Sequence, residues 1–486
     1  MDAHLQRGWL KLYGVTFECV FVDGGDTMIL KDVFDRFMAD SPICVMARAT
    51  LENVFAEDRL NTIFEQHAEK QRESDLMFAT VADMMASVVC RIRPSINAAY
   101  VARAEEIGVT VKAVYDKLKG IEGNVSRGLV RETANRMAAI IEATGATLPE
   151  LVPGYNVKIV DGNHLRRTDR RIQELRDLEK APLPGKVLAV LDPRLMLVRD
   201  VLLCEDGHAQ ERRLFPQLAE TIERDDLWIA DRNFCTTNFL FAFFRNYAKF
   251  VIRQHGSNLR WELPGWQKRI GKIETGVVYE QAMRIFDKDG SVRVIRRITV
   301  ALYEATRDGD TEIHILTNLP KKVGALKIAE LYMNRWKIET AFQEMAENLE
   351  GEINTLGYPK AALFGFCMAL VSYNMLGVVR AAIRAAHDVE EAQNVSTYYM
   401  ADEIAGTYRG MMIAIPPAFW AEKYGTLTPS QMAKALIRIA KQVKLSQYQK
   451  HKWSPKKKRN KPKPKPGKHI STFQILEQRK NKQCAA

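Results

Sequence analysis

From residue 155 onward the chain alternates short strand-like runs with helix-length ones, and their order restricts the architecture more than any bulk property does. "YNVKIVDGN" (155 to 163) is an apolar strand ending in Asp161-Gly162, and "GKVLAVLDPRLMLVRDVLL" (185 to 203) is a hairpin turning at Asp192-Pro193. A helix follows in "AQERRLFPQLAETIE" (209 to 223), then a strand, "DLWIADRNF" (226 to 234), that ends at Asp231. "TTNFLFAFFRNY" (236 to 247) is again helical and "KFVIRQH" (249 to 255) again a strand. The order β-β-β-α-β-α-β predicts an α/β fold built on a mixed sheet.

Beyond it, residues 256 to 311 hold repeated β-like runs around a turn at Asp287-Lys288-Asp289-Gly290, a β-rich insertion. "EIHILTNL" (312 to 319) returns to a strand, and 321 to 349 carries the spacing of one long helix. The division expected is a mainly helical N-terminal region (1–154), a core in two parts (155–255 and 312–385) split by the insertion (256–311), a helical C-terminal region (386–445) and a basic, partly disordered tail (446–486). Within the N-terminal region, 45 to 70 reads as two helices without chemistry. "RAEEIGVTVKAVYDKLKGI" (103 to 121) breaks at Gly108 and restarts with Thr110 as N-cap. That layout is either a helix-turn-helix presenting Lys112 and Lys117 to DNA phosphates or an ordinary pair of amphipathic helices.

A chain of 486 residues, 47% hydrophobic and 27% charged, has ordinary globular composition and room for several domains. Its seven cysteines are scattered without a CxxC pair, which supports neither a common zinc site nor a disulfide framework and suits a reducing cytosol. Charges stand near the amino terminus where a secretory apolar core would be, so no signal peptide is expected. The run 361 to 379 lacks charges, but Ser372, Tyr373 and Asn374 in its middle favour a buried core helix over a membrane span. No membrane partner is expected.

The net charge of +12 is concentrated: between Lys450 and Lys468 ten residues are Lys or Arg and none is acidic. Lys456, Lys457, Lys458 and Arg459 lead a segment in which Lys then alternates with Pro, which opposes helix and sheet and spaces cations along an extended chain. Such a segment neutralises phosphates without sequence preference, or else only solubilises the end of the chain.

Asp161 and Asp231 terminate apolar strands, and Glu339 lies on a helix whose inward face is otherwise mostly apolar. Any one of them alone is most simply a solvated element end. Together they form a set of carboxylates that needs a cation between them, and hard divalent ions take carboxylates with water and phosphate oxygens. A pair of such ions about 4 Å apart serves phosphodiester chemistry. On the helix, steps of three and four residues put Tyr332, Arg335 and Glu339 on one face. Arg335 and Glu339 are either a surface ion pair or, with Tyr332, a clamp that holds phosphate beside the metals.

The segments "IVDGN" and "WIADRNF" with Tyr332-x2-Arg335-x3-Glu339 resemble bacterial insertion-sequence transposases of the DDE class, specifically family four, which carries a Tyr-Arg-Glu-Lys signature. The resemblance spans about 155 to 380. It implies an RNase H-like core in which Asp161, Asp231 and Glu339 bind two Mg²⁺ ions, with Mn²⁺ as a substitute, while Tyr332 and Arg335 contact transposon-end phosphate. It further implies a homodimer on double-stranded DNA in the bacterial cytoplasm, associated with the nucleoid, acting on inverted-repeat ends and on target DNA. The chemistry implied is 3′-end hydrolysis, hairpin formation by the freed 3′-OH, hairpin opening and strand transfer. Trp261 and Trp266 are the tryptophans of the insertion expected to stack a flipped base, with core packing as the alternative. The signature lysine is missing, because position 346 is Ala; its contact is lost or supplied elsewhere, Lys360 being one source. Two alternatives remain open at this level: a transposase-derived DNA-binding protein without catalysis, and an RNase H-like nuclease that never transfers strands.

Overall fold

The computed structural model describes residues 5–12, 15–22, 25–72, 76–165, 172, 175, 182–256, 259–306, 309–450 and 470–484, with side-chain placement from residue 30 onward, Val389 and Ile470 apart. The chain opens with an antiparallel hairpin of β1 (Leu5–Leu12) and β2 (Val15–Val22), so the mainly helical expectation for this region missed two strands. The signal was there in the period-2 placement of Val15, Phe17 and Cys19. Helices follow: α1 (Gly25–Asp40), α2 (Pro42–Val54), α3 (Glu57–His67), α4 (Phe78–Val89), the short α5 (Ile96–Val101) and α6 (Ala104–Ile107), α7 (Val111–Gly120) and α8 (Gly123–Thr144). Thr110 caps α7 by accepting from the Ala113 N–H, and α8 stops where Gly145 takes a left-handed φ of 71°.

The sheet begins with β3 (Asn156–Leu165), β4 (Pro182–Leu183), β5 (Gly185–Asp192) and β6 (Leu197–Cys204). The helix expected over 209–223 is shorter, a 3₁₀ turn at Glu211–Leu214 running into α9 (Phe215–Ala219). Then come β7 (Asp226–Ala230), α10 (Thr237–Arg245), β8 (Lys249–Arg253) and the insertion strands β9 (Arg260–Glu262), β10 (Lys268–Ile273), β11 (Gly276–Phe286) and β12 (Val292–Leu302). β13 (Glu312–Thr317) precedes α11 (Ala325–Met333), α12 (Trp336–Asn348) and the long α13 (Pro359–Ala386). The helical C-terminal part comprises α14 (Val389–Gln393), α15 (Thr397–Ala414), α16 (Pro417–Trp420) and α17 (Pro429–Ala440), the last started by a Thr428/Gln431 capping box.

One ten-stranded sheet runs in the order β10-β11-β12-β13-β8-β7-β3-β5-β6, with β9 added on β11. β3, β7 and β8 are mutually parallel neighbours and the other pairs are antiparallel, so the sheet is mixed and the insertion strands extend it. Alternation along the central strands divides the interior. Ile159, Leu227, Ile229 and Val251 join the core beneath the helical layer, while Val160, Trp228, Ala230 and Phe250 join a second core under α9 and α10. Gly276 is required by close approach, since a Cβ there would lie 2.2 Å from the Ala301 carbonyl oxygen on the partner strand. Gly276→Ala is therefore expected to force β11 and β12 apart at a cost of about 1–3 kcal/mol. The check is the urea midpoint together with proteolytic sensitivity of 256–306; an unchanged midpoint and cleavage pattern would refute it.

α13 is long and apolar enough to cross a bilayer, yet 94% of its most apolar window is buried inside the protein, against α8, α4 and β6. Its Asn374 sits within that apolar surface and is completely buried. It accepts from the Val198 N–H and donates to the Val198 carbonyl, both at 2.8 Å, which rivets the helix to β6. Within the tail expected to be partly disordered, β14 (Ile470–Ser471) pairs in parallel with β4 and leads into α18 (Thr472–Cys484). Ser471 and Gln474 both donate to the Asp206 carboxylate, so the chain returns to the sheet after the basic segment.

Candidate active site

The pairing of β3 with β7 ends at Val160↔Ala230, so Asp231 follows the last residue of β7 beside Asp161, which is not at a strand end as expected but still within β3, paired with Ala189 of β5. Ligand sites in open α/β sheets form at carboxyl strand ends such as that of β7. Asp161 is two residues from Ile159 and Asp231 two from Ile229, which directs both toward the face covered by the helical layer. β3 itself continues to Leu165 against β5 alone, leaving a notch beside Asp161 where β7 has stopped. Asp231 turns back to accept from the Asn233 N–H at 2.8 Å and so starts the 3₁₀ turn Arg232–Phe234.

The helix expected over 321–349 is two helices. Between α11 and α12 the hydrogen bonds tighten: Asn334 N–H to the Leu331 carbonyl, Arg335 N–H to Tyr332, Lys337 N–H to Asn334 and Ile338 N–H to Arg335, all of the i to i+3 kind. Asn334 also bonds its own side-chain amide to the Glu330 carbonyl at 3.3 Å, competing with regular helix. The break lands within the Tyr332, Arg335, Glu339 segment, and the second helix packs against β3. Arg335 donates to Asp161 at 3.0 Å across 174 residues of sequence and reaches Glu339 at 2.5 Å on its other side. Its guanidinium lies 6.0 Å from the centre of the buried Tyr332 ring. The side chain of Glu339 is 51% exposed, against 17% for Asp161.

The electrostatics follow from this crowding. Burial, with further pushes from Asp231 and Glu339, raises the Asp161 carboxyl to about 7 despite the Arg335 charge. Asp231 is also raised, again chiefly by burial. The donors are all hard carboxylate oxygens, short of positive charge, which fits a divalent cation of the magnesium class. Arg335 stands between Asp161 and Glu339 in this arrangement, and among the described residues no three ligands are already gathered at metal distance. The exposed Glu339 side chain is the one with room to turn from Arg335 toward the aspartates. The Arg335 Nε atom is buried without a hydrogen-bond partner among the described residues, leaving a donor available at this edge.

The other residues expected to touch DNA are less uniform. Trp266 is 96% exposed between β9 and β10, and Trp261 is partly exposed on β9, so neither is packed in a core. Lys112 is exposed on α7 and lies 3.9 Å from Asp116. Lys117 is a correction: it is buried, with its ammonium 4.8 Å from the Phe64 ring centre, because its helix face packs inward. The helix-turn-helix layout is corrected as well, since α6 before Gly108 is a single turn. Lys456, Lys457, Lys458 and Arg459 lie outside the described residues. Ala346 is exposed on α12, and Lys360 sits near Glu122 and Glu205. Two nearby groups were missed from sequence. Trp336 is 56% exposed immediately after Arg335. Glu211 has its carboxyl where a Cβ on Gly162 would be, 2.5 Å away, and it feels the charge of Asp231. An aromatic next to the Arg of the motif was a usable signal for the first, and none marked the second.

Residues 153–375, somewhat under half of the chain, match the family model described as a transposase DDE domain. No curated protein matches the chain. The matched span contains Asp161, Asp231, Tyr332, Arg335 and Glu339, and it supports transposase function of the DDE type, a metal-dependent class acting on nucleic acid.

Proposed function

We propose that the protein is an insertion-sequence transposase of the Tyr-Arg-Glu-Lys group, with an RNase H-like core over 155–255 and 312–385 interrupted by the insertion at 256–311. The observation that carries this is the meeting of Asp161 and Asp231 where β7 ends beside β3, with Arg335 reaching both Asp161 and Glu339, inside the matched domain. In this reading Asp161, Asp231 and Glu339 hold two Mg²⁺ ions, or Mn²⁺ in their place. Held by these three carboxylates, such a metal pair would supply activation of the attacking oxygen and charge stabilisation at the leaving one.

The remaining roles belong to side chains. Arg335 offers a planar fork that matches a phosphate, and its buried position beside Tyr332 fixes that fork against the scissile strand. Tyr332 is buried on the inner side of the clamp and keeps bulk water from that edge. Trp266, Trp261 and Trp336 present exposed rings on which unpaired bases stack when a strand end folds into a hairpin. Residues 1–154 and the basic segment recognise the transposon ends, and the active assembly is a homodimer on DNA in the bacterial cytoplasm.

The test is a joining assay. A duplex with a pre-cut 3′-OH end and a supercoiled plasmid are incubated with the protein and Mg²⁺, and covalent joining of the end to the plasmid is the expected product. Nicking without joining would replace the proposal by a nuclease. Binding with neither would replace it by a DNA-binding protein.

A further inference from the structure

A cavity of about 490 Å³ lies on the opposite face of the sheet from Tyr332, along α10 and next to the turn that leaves Asp231. Three elements distant in sequence each bring a cation to it: Arg212 from the 3₁₀ turn before α9, Arg245 from the last turn of α10 and Lys288 from the β11–β12 turn. None of the three makes an ion pair among the described residues, and no acidic side chain lines the cavity. The acids flanking Lys288 are occupied within their own turn. Asp287 accepts from the Lys288 N–H, and Asp289 accepts from the Ser291 N–H and hydroxyl.

Phe215, Pro216, Ala219 and Phe239 form an apolar floor to the cleft, and its remaining polar lining suits an anion. Thr236, Thr237 and Asn238 open α10, and the Thr236 side chain makes no capping hydrogen bond, so among the described residues no side chain caps the first-turn N–H donors beside the cations. α10 has nine residues, about 13.5 Å at about 1.5 Å per residue, which matches about four nucleotide steps of a DNA strand. One end of the cleft adjoins the carboxylates: Arg212 follows Glu211, whose carboxyl lies against Gly162, and Thr236 is reached from Asp231 through one 3₁₀ turn.

We infer that this cleft is a second phosphodiester subsite, holding the backbone of a DNA strand that continues past Asp231 onto the far face of the sheet. The inference rests on the DNA-processing reading above and adds to it where the strand runs. The cleft recognises charge and spacing, so it reads no base sequence.

Duplex binding is measured between about 50 and 200 mM salt for wild type, for Arg245→Ala combined with Lys288→Ala, and for Asn238→Asp. The paired alanine variant is expected to lower the slope of log affinity against log salt by about 0.9 to 1.8, the loss of about one to two phosphate contacts. Asn238→Asp, which puts a negative charge in the cleft and removes no packed group, is expected to weaken low-salt binding about tenfold. An unchanged slope in the alanine variant with unchanged affinity in Asn238→Asp overturns the subsite. A weakened grip on a linear duplex with free 3′ ends assigns the cleft to donor DNA, whereas weakening seen only when plasmid is added to the preloaded complex assigns it to target DNA. A wild-type chain that binds no DNA overturns the functional reading itself, and the subsite with it.

Discussion

Asp161→Asn and Asp231→Asn are each expected to reduce Mg²⁺-dependent strand cleavage by at least about 10³-fold, equivalent to about 4 kcal/mol of barrier, while duplex binding is retained. Both substitutions preserve shape and remove one anionic oxygen from the place where β7 ends beside β3. Glu339→Gln should behave in the same direction. A second readout separates loss of metal from loss of chemistry. Saturating Mg²⁺ should raise the melting temperature of wild type, since a ligand at about 100 times its dissociation constant adds about 2.7 kcal/mol to the folded state, and this gain should vanish in Asp161→Asn. Cleavage at wild-type rate in Asp231→Asn would remove that residue from the site. A full Mg²⁺ response in all three variants would remove the carboxylates as its ligands.

Asn374→Leu should destabilise the fold by about 2–4 kcal/mol although the replacement is similar in size and more apolar. The reason is that Asn374 is wholly buried and satisfies both the N–H and the carbonyl of Val198. Leucine would leave two backbone groups in an apolar layer with no partner and no water. Equilibrium unfolding in urea measures the loss, and stability equal to wild type would show that β6 finds other partners for Val198. Asn374→Asp makes a useful comparison, because it keeps an acceptor for the Val198 N–H while it places a charge in the core.

Much of the sheet was legible locally. Strands at 185–192, 226–230, 249–253 and 312–317 fall within the runs expected, and those at 156–165 and 197–204 overrun theirs by one or two residues, because a two-sided sheet needs apolar residues on both faces and turn residues between them. The β-rich character of 256–311 was visible for the same reason. The hairpin at the amino terminus was overlooked because its first strand mixes Gln, Arg and Lys with apolar residues, diluting the alternation. The long helix at 321–349 was drawn without its break, since Asn334 and Arg335 are both compatible with helix and only the tightened hydrogen bonds show the interruption. Lys117 looked like a surface cation because charge alone does not reveal that its helix face is buried with the ammonium over the Phe64 ring.

What the sequence determined by itself was the inventory: strand-forming runs in a set order, an acid within one of them and just after another, and a Tyr, Arg, Glu face at helical spacing. These are statements about neighbours a few residues apart, where periodicity and steric preference act directly. Tertiary structure decided which of them meet. Only the parallel register of β3 with β7 sets Asp161 beside Asp231, and only the packing of α12 on β3 brings Arg335 across 174 residues onto Asp161. The same packing buried Lys117, filled the space over Gly162 with Glu211, and gathered Arg212, Arg245 and Lys288 around one cleft. Contacts of that range depend on how whole faces are buried together, and no local pattern in the chain records them.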